Sequence, residues 1–337
     1  MKSNKRIIII AEAGVNHNAS MEMARRMVVE AAKAGADYVK FQTAVPELVI
    51  SSIAPKAEYQ KETTGTGESQ LEMCKAIHLP LSAYPELAGL CRQEGIGFMS
   101  TPFDLVSIDS LAGLDMDFWK IPSGEITNLP YLRKIASKGG RVILSTGMST
   151  LDEVSAAVEI LVNGGIDRKD IYLLHCTTQY PTPYSDVNLR AMDALRSLDV
   201  GGVGYSDHTL GIEVPVAAAA LGAQVIEKHF TLDKSLPGPD HRASLDPTEL
   251  AAMVKAVRHI EEALGSGDKT VAESERPNIE VARKSIVAAR DISAGETFTE
   301  DNITVKRPGN GISPMEWDNV IGRVAKQDFP YDTLIEL

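Results

Sequence analysis

The sequence predicts an α/β chain built from a (β/α)8 barrel of the TIM type over residues 1–264, a linker over 265–277 and a small domain over 278–337. Three observations carry this reading. Short apolar runs alternate with helix-like stretches from the start to about residue 263. The runs are near-continuous in Ile and Val, which marks strands covered on both faces and therefore a parallel sheet. Eight such units fit a closed barrel better than an open doubly wound sheet, and no Gly-x-Gly-x-x-Gly follows the first run to favour the latter.

The expected strands are Arg6–Ala11, Asp37–Gln42, Ile96–Ser100, Phe118–Ile121, Arg141–Ser145, Ile171–His175, Gly202–Tyr205 and Gln224–Lys228. Between them lie helical patterns such as Ser20–Ala34, Asp152–Asn163 and Glu213–Leu221. The last helix, Pro247–Leu264, opens on the start signal Asp246-Pro247 and stops before Gly265. The segment Val45–Leu71 is long and polar for a βα loop, so it is expected to be a lid. After Gly265-Ser-Gly-Asp-Lys the pattern changes. Ser285-Ile-Val-Ala-Ala and Ile303–Lys306 read as strands, with turn chemistry at Ser293-Ala-Gly-Glu between them. Some 60 residues make a weak core alone, so this part is expected to dock on a barrel, its own or a second subunit's.

Composition narrows the function. With 44% hydrophobic and 24% charged residues the chain can bury a sizeable core. A net charge of -12 argues against a nucleic-acid partner while leaving room for a local basic pocket. Cys74, Cys91 and Cys176 show no paired spacing, which points to a reducing compartment, the cytoplasm, and to core roles for the three. The apolar run after Met1–Arg6 is too short for a signal peptide or a membrane span.

In a barrel of this kind the chemistry sits at the C-terminal ends of the strands. Here those ends are polar eight times over: Glu12 with Asn16 and His17; Lys40-Phe-Gln42; Ser100-Thr101; Lys120-Ile-Pro-Ser123-Gly-Glu125; Ser145-Thr146-Gly147; His175-Cys-Thr-Thr178 leading to Tyr180; Ser206-Asp-His208; and Glu227-Lys-His229. Solvated loops explain one such end but not all eight. Lys40 and Lys120, accompanied by hydroxyls, suit a phosphate or carboxylate. The plain alternative is that each lysine only pairs with Glu12 or Glu227. His208 and His229 close neighbouring runs 21 positions apart and would hold one divalent ion with open positions; two backbone-bonded core histidines are the alternative. His175 and His17 are weaker ligand candidates, and His78, His241 and His259 read as peripheral. Glu12, Glu227, Asp240 and Glu125 are the acid–base candidates, with Asp240 held in the stiff loop Pro237-Gly-Pro-Asp240 near His229.

These residues resemble those of the sialic acid synthases, the family that includes the N-acetylneuraminate, legionaminate and pseudaminate synthases. The similarity lies in Ala11-Glu-Ala-Gly-Val-Asn-His17, Val39-Lys-Phe-Gln42, Ser100-Thr-Pro-Phe103, Lys120-Ile-Pro-Ser-Gly-Glu125, Leu144-Ser-Thr-Gly-Met148, His175-Cys-Thr-Thr-Gln-Tyr-Pro-Thr-Pro183, Ser206-Asp-His-Thr209, Glu227-Lys-His-Phe230, Pro237-Gly-Pro-Asp240 and Lys306-Arg-Pro-Gly-Asn-Gly311, in order along nearly the whole chain. The resemblance implies a barrel followed by an antifreeze-like (SAF) domain, in a domain-swapped homodimer. It implies condensation of phosphoenolpyruvate with an N-acylated mannose-type sugar: N-acetylmannosamine to give N-acetylneuraminate, or 2,4-diacetamido-2,4,6-trideoxymannose to give N,N'-diacetyllegionaminate. It assigns a divalent metal, manganese first and magnesium or cobalt otherwise, to His208 and His229. It assigns phosphoenolpyruvate to Lys40, Thr101, Lys120, Ser123, Ser145 and Ser206, the sugar side to Gln42, Thr178 and Tyr180, and the catalytic carboxylates to Glu12, Glu227 and Asp240. A partner's copy of Arg307 would reach the N-acyl group. Thr178 stands where some N-acetylmannosamine users carry Asn, so the choice of sugar stays open.

Overall fold

A computed structural model describes residues 6–337. The reading of the first residues as no signal peptide lies, for Met1–Lys5, outside the described residues. The chain divides into two compact units, with the boundary between Gly265 and Ser266.

The first unit is the expected barrel. Its strands are β1 (Ile8–Gly14), β2 (Tyr38–Thr43), β3 (Gly97–Pro102), β4 (Phe118–Ile121), β5 (Arg141–Ser145), β6 (Ile171–His175), β7 (Gly202–Asp207) and β8 (Val225–His229). All pairings between them are parallel, in the order β3-β2-β1-β8-β7-β6-β5-β4, and β3 packs beside β4 to complete the ring. Helices follow the strands on the outside, several of them opened by caps in which Ser20, Asp104, Thr150 and Asp246 accept a backbone N–H.

Five strands, β1, β2, β3, β7 and β8, run further than their apolar runs suggest, into the polar residues at their ends. Main-chain pairing does not stop where side chains become polar, and inward-facing polar residues have a cavity to face. The register therefore sets functional groups side by side: Glu12 is the Cα partner of both Lys40 and His229, Gln42 of Thr101, and Ser206 of Glu227.

Beneath them Ile10, Met99, Phe118, Ile143, Leu174 and Val225 fill the barrel interior. This apolar plug closes the bottom, so the mouth is the open end. Outside the strands the main core packs residues such as Ile9, Val39, Leu144 and Ile226 against the helices.

The expected loop Val45–Leu71 is not irregular. Between β2 and β3 the chain forms three short helices, Pro46–Val49, Glu58–Thr64 and Gln70–Ile77. Asp104 accepts the Val45 N–H at 2.8 Å where the excursion leaves the barrel. Ser69 and Glu72 cap the third helix reciprocally. Buried Lys56 holds the middle together, donating to Thr64 Oγ1 at 3.0 Å, the Gly65 carbonyl at 3.2 Å and Glu68 at 3.1 Å.

The second unit contains the helix Arg276–Ala282 and the antiparallel pair β9 (Ser285–Ala288) and β10 (Ile303–Lys306). Its small core gathers Ile286, Ile292, Phe298, Ile303, Val320, Phe329 and Ile335.

Candidate active site

A cavity of about 450 Å³ opens at the C-terminal ends of the barrel strands. Glu12, Lys40, Gln42, Thr101, Lys120, Ser123, Ser145, Thr178, Tyr180, Ser206, His208, Glu227, His229 and Asp240 all line it. The remaining predicted site residue, Arg307, belongs to the second unit, where it is exposed and its Nε donates to the Ala282 carbonyl at 3.2 Å.

The floor is a buried ion network. Lys40 Nζ lies 2.5 Å from Glu12 and 3.7 Å from Glu227, and it donates to Thr101 Oγ1 at 3.0 Å. Lys120 Nζ lies 3.6 Å from Glu227 and donates to Ser145 Oγ at 2.7 Å. Ser206 donates to Glu227 at 3.0 Å, and Gln42 to Glu12 at 3.2 Å. The lysines do pair with Glu12 and Glu227, and they face the cavity as well. Ser123 accepts the Gly147 N–H at 2.9 Å, which pins the turn after β5.

Burial shapes the charges here. It pushes Glu12 up to about 7, against the pull of Lys40 and with repulsion from Glu227. Burial also opposes charge on Glu227, but Lys120, Lys40 and the Ser206 hydroxyl together hold it below the usual carboxylate range. Lys40 is held above the ordinary lysine value because Glu12 and Glu227 outweigh its desolvation. Lys120 falls below it because burial outweighs Glu227. Burial alone raises Asp240 to about 6.

The two imidazoles stand 5.4 Å apart, centroid to centroid. His208 Nδ1 lies 2.6 Å from the Thr177 carbonyl, which selects the Nδ1–H tautomer and leaves the Nε2 lone pair free. His229 Nδ1 is buried and makes no hydrogen bond, with Asp240 3.9 Å away. Burial holds His208 down at about 4 and His229 well below its ordinary value, so both rings are neutral near pH 7, as ligands must be. Two neutral imidazoles with free ring nitrogens facing one cavity fit a divalent ion. Among the described residues no group of three or more His, Cys, Asp or Glu side chains gathers as a fuller ligand set.

Some expectations need correcting. Glu125 does not line the cavity; its carboxylate accepts from Asn128 instead. His175 is taken up by the Val187 carbonyl at 2.7 Å, and His17 accepts the Ala19 N–H at 3.2 Å, so neither serves the site. His78, read as peripheral, lines the cavity because the third helix of the excursion folds back over the mouth. Cys74 and Cys176 line it too, and all three cysteines are free.

The excursion expected as a lid does reach the cavity, and a buried ion pair that the sequence did not announce lies behind the site. The excursion contributes Val49, Ile50, Tyr59, Gln70, Met73 and Ile77 to the cavity wall. Tyr59 packs on Tyr180 at 5.1 Å, and Tyr180 on His208 at 4.1 Å. On the barrel's outer side, fully buried Lys228 meets Asp207 at 2.5 Å and also donates to the Thr209 carbonyl. Asp207 accepts from Thr209 twice, at 3.1 and 2.9 Å. This pair ties together the two strands that carry the histidines. The alternation of strand side chains is the signal that could have found it, since Asp207 and Lys228 must face away from the cavity that His208 and His229 face.

A model described as the NeuB family matches residues 27–269, and a SAF domain model matches residues 283–336. The chain is 50% identical to an N,N'-diacetyllegionaminic acid synthase of Campylobacter jejuni, over 98% of this chain and 99% of that one. It is 47% identical to an N,N'-diacetyllegionaminic acid synthase of Legionella pneumophila, over 95% and 90% respectively. Among solved structures it is similar to an N-acetylneuraminic acid synthetase of Leptospira borgpetersenii, with a TM-score of 0.71, 35% identity and coverage of 82% of this chain and 91% of that one.

Proposed function

The chain belongs to the NeuB family, and from that premise we propose that it condenses phosphoenolpyruvate with 2,4-diacetamido-2,4,6-trideoxymannose to give N,N'-diacetyllegionaminate and phosphate. The observation that carries this is one cavity holding two buried lysines, on β2 and β4, beside two neutral imidazoles at the ends of β7 and β8. The choice of sugar follows the two diacetyllegionaminic acid synthases, which are nearer in sequence than the neuraminic acid synthetase, and so favours this sugar over N-acetylmannosamine.

Lys40 and Lys120, with the hydroxyls of Thr101, Ser123, Ser145 and Ser206, bind the phosphate and carboxylate of phosphoenolpyruvate. His208 and His229 would hold a divalent ion, manganese first, whose chemistry when bound is to polarise an aldehyde oxygen. Tyr180, Thr178 and Gln42 align the open-chain sugar so that C3 of the enol phosphate meets its C1. Holding both reactants in line removes much of the entropic barrier. The C3–C1 bond forms and the aldehyde oxygen takes up a proton to become a hydroxyl; water adds at C2, and as the C2–O bond to phosphate breaks the C2 hydroxyl gives its proton to the departing phosphate, leaving the keto acid. Glu12 and Glu227 position that water and take its proton, and Asp240 faces the sugar beside His229.

We place the enzyme in the cytoplasm, in keeping with its three free cysteines. Among the described residues no helix is long and apolar enough to cross a membrane. We also propose a domain-swapped homodimer in which a partner's copy of Arg307 completes the sugar site. Exposed Leu105, Val106 and Leu151, at the starts of the helices that follow β3 and β5, with Met148 in the turn after β5, give a second copy an apolar rim to cover.

The test is phosphate release from phosphoenolpyruvate with manganese and either sugar. Release is expected with both sugars and fastest with the diacetamido one. Release with neither would overturn the reading.

A further inference from the structure

The cavity has two chemically different ends. The strand ends give a floor of lysines, carboxylates and hydroxyls, with the imidazole pair beside it. The excursion between β2 and β3 gives a wall in which Val49, Ile50, Met73 and Ile77 are aliphatic. Met73 is buried, Ile50 and Ile77 are half-buried, and Val49 keeps 38% of its surface exposed.

The polar groups on this wall are mostly spent. The Gln60 amide accepts the Ala57 N–H at 3.0 Å and packs its nitrogen against the Tyr59 hydroxyl at 3.4 Å. His78 Nδ1 is taken up by the Cys74 carbonyl at 2.8 Å. Gln70, half-buried in the first turn of its helix, also lines the cavity.

An aldose bound with C1 at the imidazoles and its acceptor face on the floor extends its other end toward this wall. A hydroxyl pressed against Val49, Ile50, Met73 and Ile77 loses its water partners and gains none, whereas a methyl group gains contact. An acetamido group presents one N–H and one carbonyl, the complement of the Gln70 amide. Resting on the function proposed above, we infer that this wall is the specificity element. It receives the deoxygenated tail of the sugar, with a methyl at C6 against the aliphatic side chains and an acetamido group at C4 paired with Gln70, and discriminates against a fully hydroxylated tail.

The test compares kcat/KM for 2,4-diacetamido-2,4,6-trideoxymannose and N-acetylmannosamine in the full-length enzyme and in Val49→Thr, Met73→Gln and Gln70→Leu variants. Val49→Thr and Met73→Gln keep side-chain size and add polarity. Each is expected to move the ratio about tenfold toward N-acetylmannosamine, the lower end of what one group in a pocket discriminates. Gln70→Leu is expected to raise KM for the diacetamido sugar several-fold more than for N-acetylmannosamine. Val49→Thr, at a partly exposed position, reads the effect even where the buried Met73→Gln variant folds poorly, as a thermal midpoint would reveal. A ratio unmoved in Val49→Thr and Gln70→Leu, in an enzyme that turns over the diacetamido sugar, overturns this inference alone. Wild-type enzyme that turns over neither sugar overturns the proposed function instead.

Discussion

Lys40, Glu227 and His229 sit on strands hydrogen-bonded to neighbours on both sides, while Val49 and Met73 sit on helices of four and eight residues, the longer one capped by Ser69 and the two joined by the exposed Lys75–Glu47 pair at 2.6 Å. The floor is fixed by long-range pairing that involves the whole barrel. The wall is fixed locally and is a separate module inserted after one strand. Moving a charged group by 1 Å costs catalysis dearly, so the reacting groups gain from the stiffer support. A module that only recognises a tail can vary without disturbing them. The comparison predicts that floor substitutions destroy turnover and wall substitutions redistribute it between substrates.

The strongest break is expected at the metal pair. His229→Ala should abolish manganese-stimulated turnover and weaken manganese binding, followed by the loss of free Mn2+ signal in electron paramagnetic resonance. Manganese binding unchanged in the variant would remove His229 from the ligand set. Lys120→Met, which keeps the stem and deletes the charge, should lower kcat by about 10²–10³, the scale for losing one preorganised charge-stabilising donor. It should also raise KM for phosphoenolpyruvate; a loss confined to the sugar KM would put Lys120 on the wrong substrate.

The outer pair tests whether the floor's stiffness matters. Lys228→Met leaves Asp207 buried without its cation, and breaking such a pair costs about 3–5 kcal/mol. Urea unfolding of the barrel should register that loss. The double variant Lys228→Met with Asp207→Leu should recover most of the stability, because apolar replacement of both partners is often neutral. A single variant within about 1 kcal/mol of wild type would show that Thr209 alone satisfies Asp207.

The floor was legible in the sequence because two independent patterns coincide there. Near-continuous Ile and Val runs place the strands, and the first polar residues after each run, from Glu12 to His229, fall at one end by topology. The resemblance then assigned roles to residues that the cavity does bring together. The wall was illegible for a physical reason. Val49, Met73 and Ile77 are scattered among charged and polar residues, and only the folding back of three short helices gathers them. Length and polarity mark Val45–Leu71 as a lid but do not say which of its side chains turn inward, and His78 just beyond it reads as peripheral. Asp207 and Lys228 each adjoin a cavity histidine, yet strand alternation turns them outward, where a charged pair leaves no mark in an apolar pattern. Glu125 was the opposite error: a carboxylate at a strand end that turns to cap Asn128 instead of the cavity.

The smallest expected effect is the most discriminating between floor and wall. Lys56 touches no reacting group in the proposed chemistry, yet its ammonium joins Thr64, Gly65 and Glu68 and so sets the shape of the excursion. Lys56→Met keeps the buried stem and removes three hydrogen bonds, loosening the wall without touching the barrel. Looser recognition that is shared by ground state and transition state raises KM and leaves kcat alone. A rise in sugar KM of about threefold to tenfold is therefore expected, with kcat and the KM for phosphoenolpyruvate within about twofold of wild type. Steady-state kinetics with each substrate varied in turn would check this. Should kcat fall tenfold at unchanged KM, the excursion takes part in aligning the reacting carbons, and the division between a chemical floor and a selective wall would not hold.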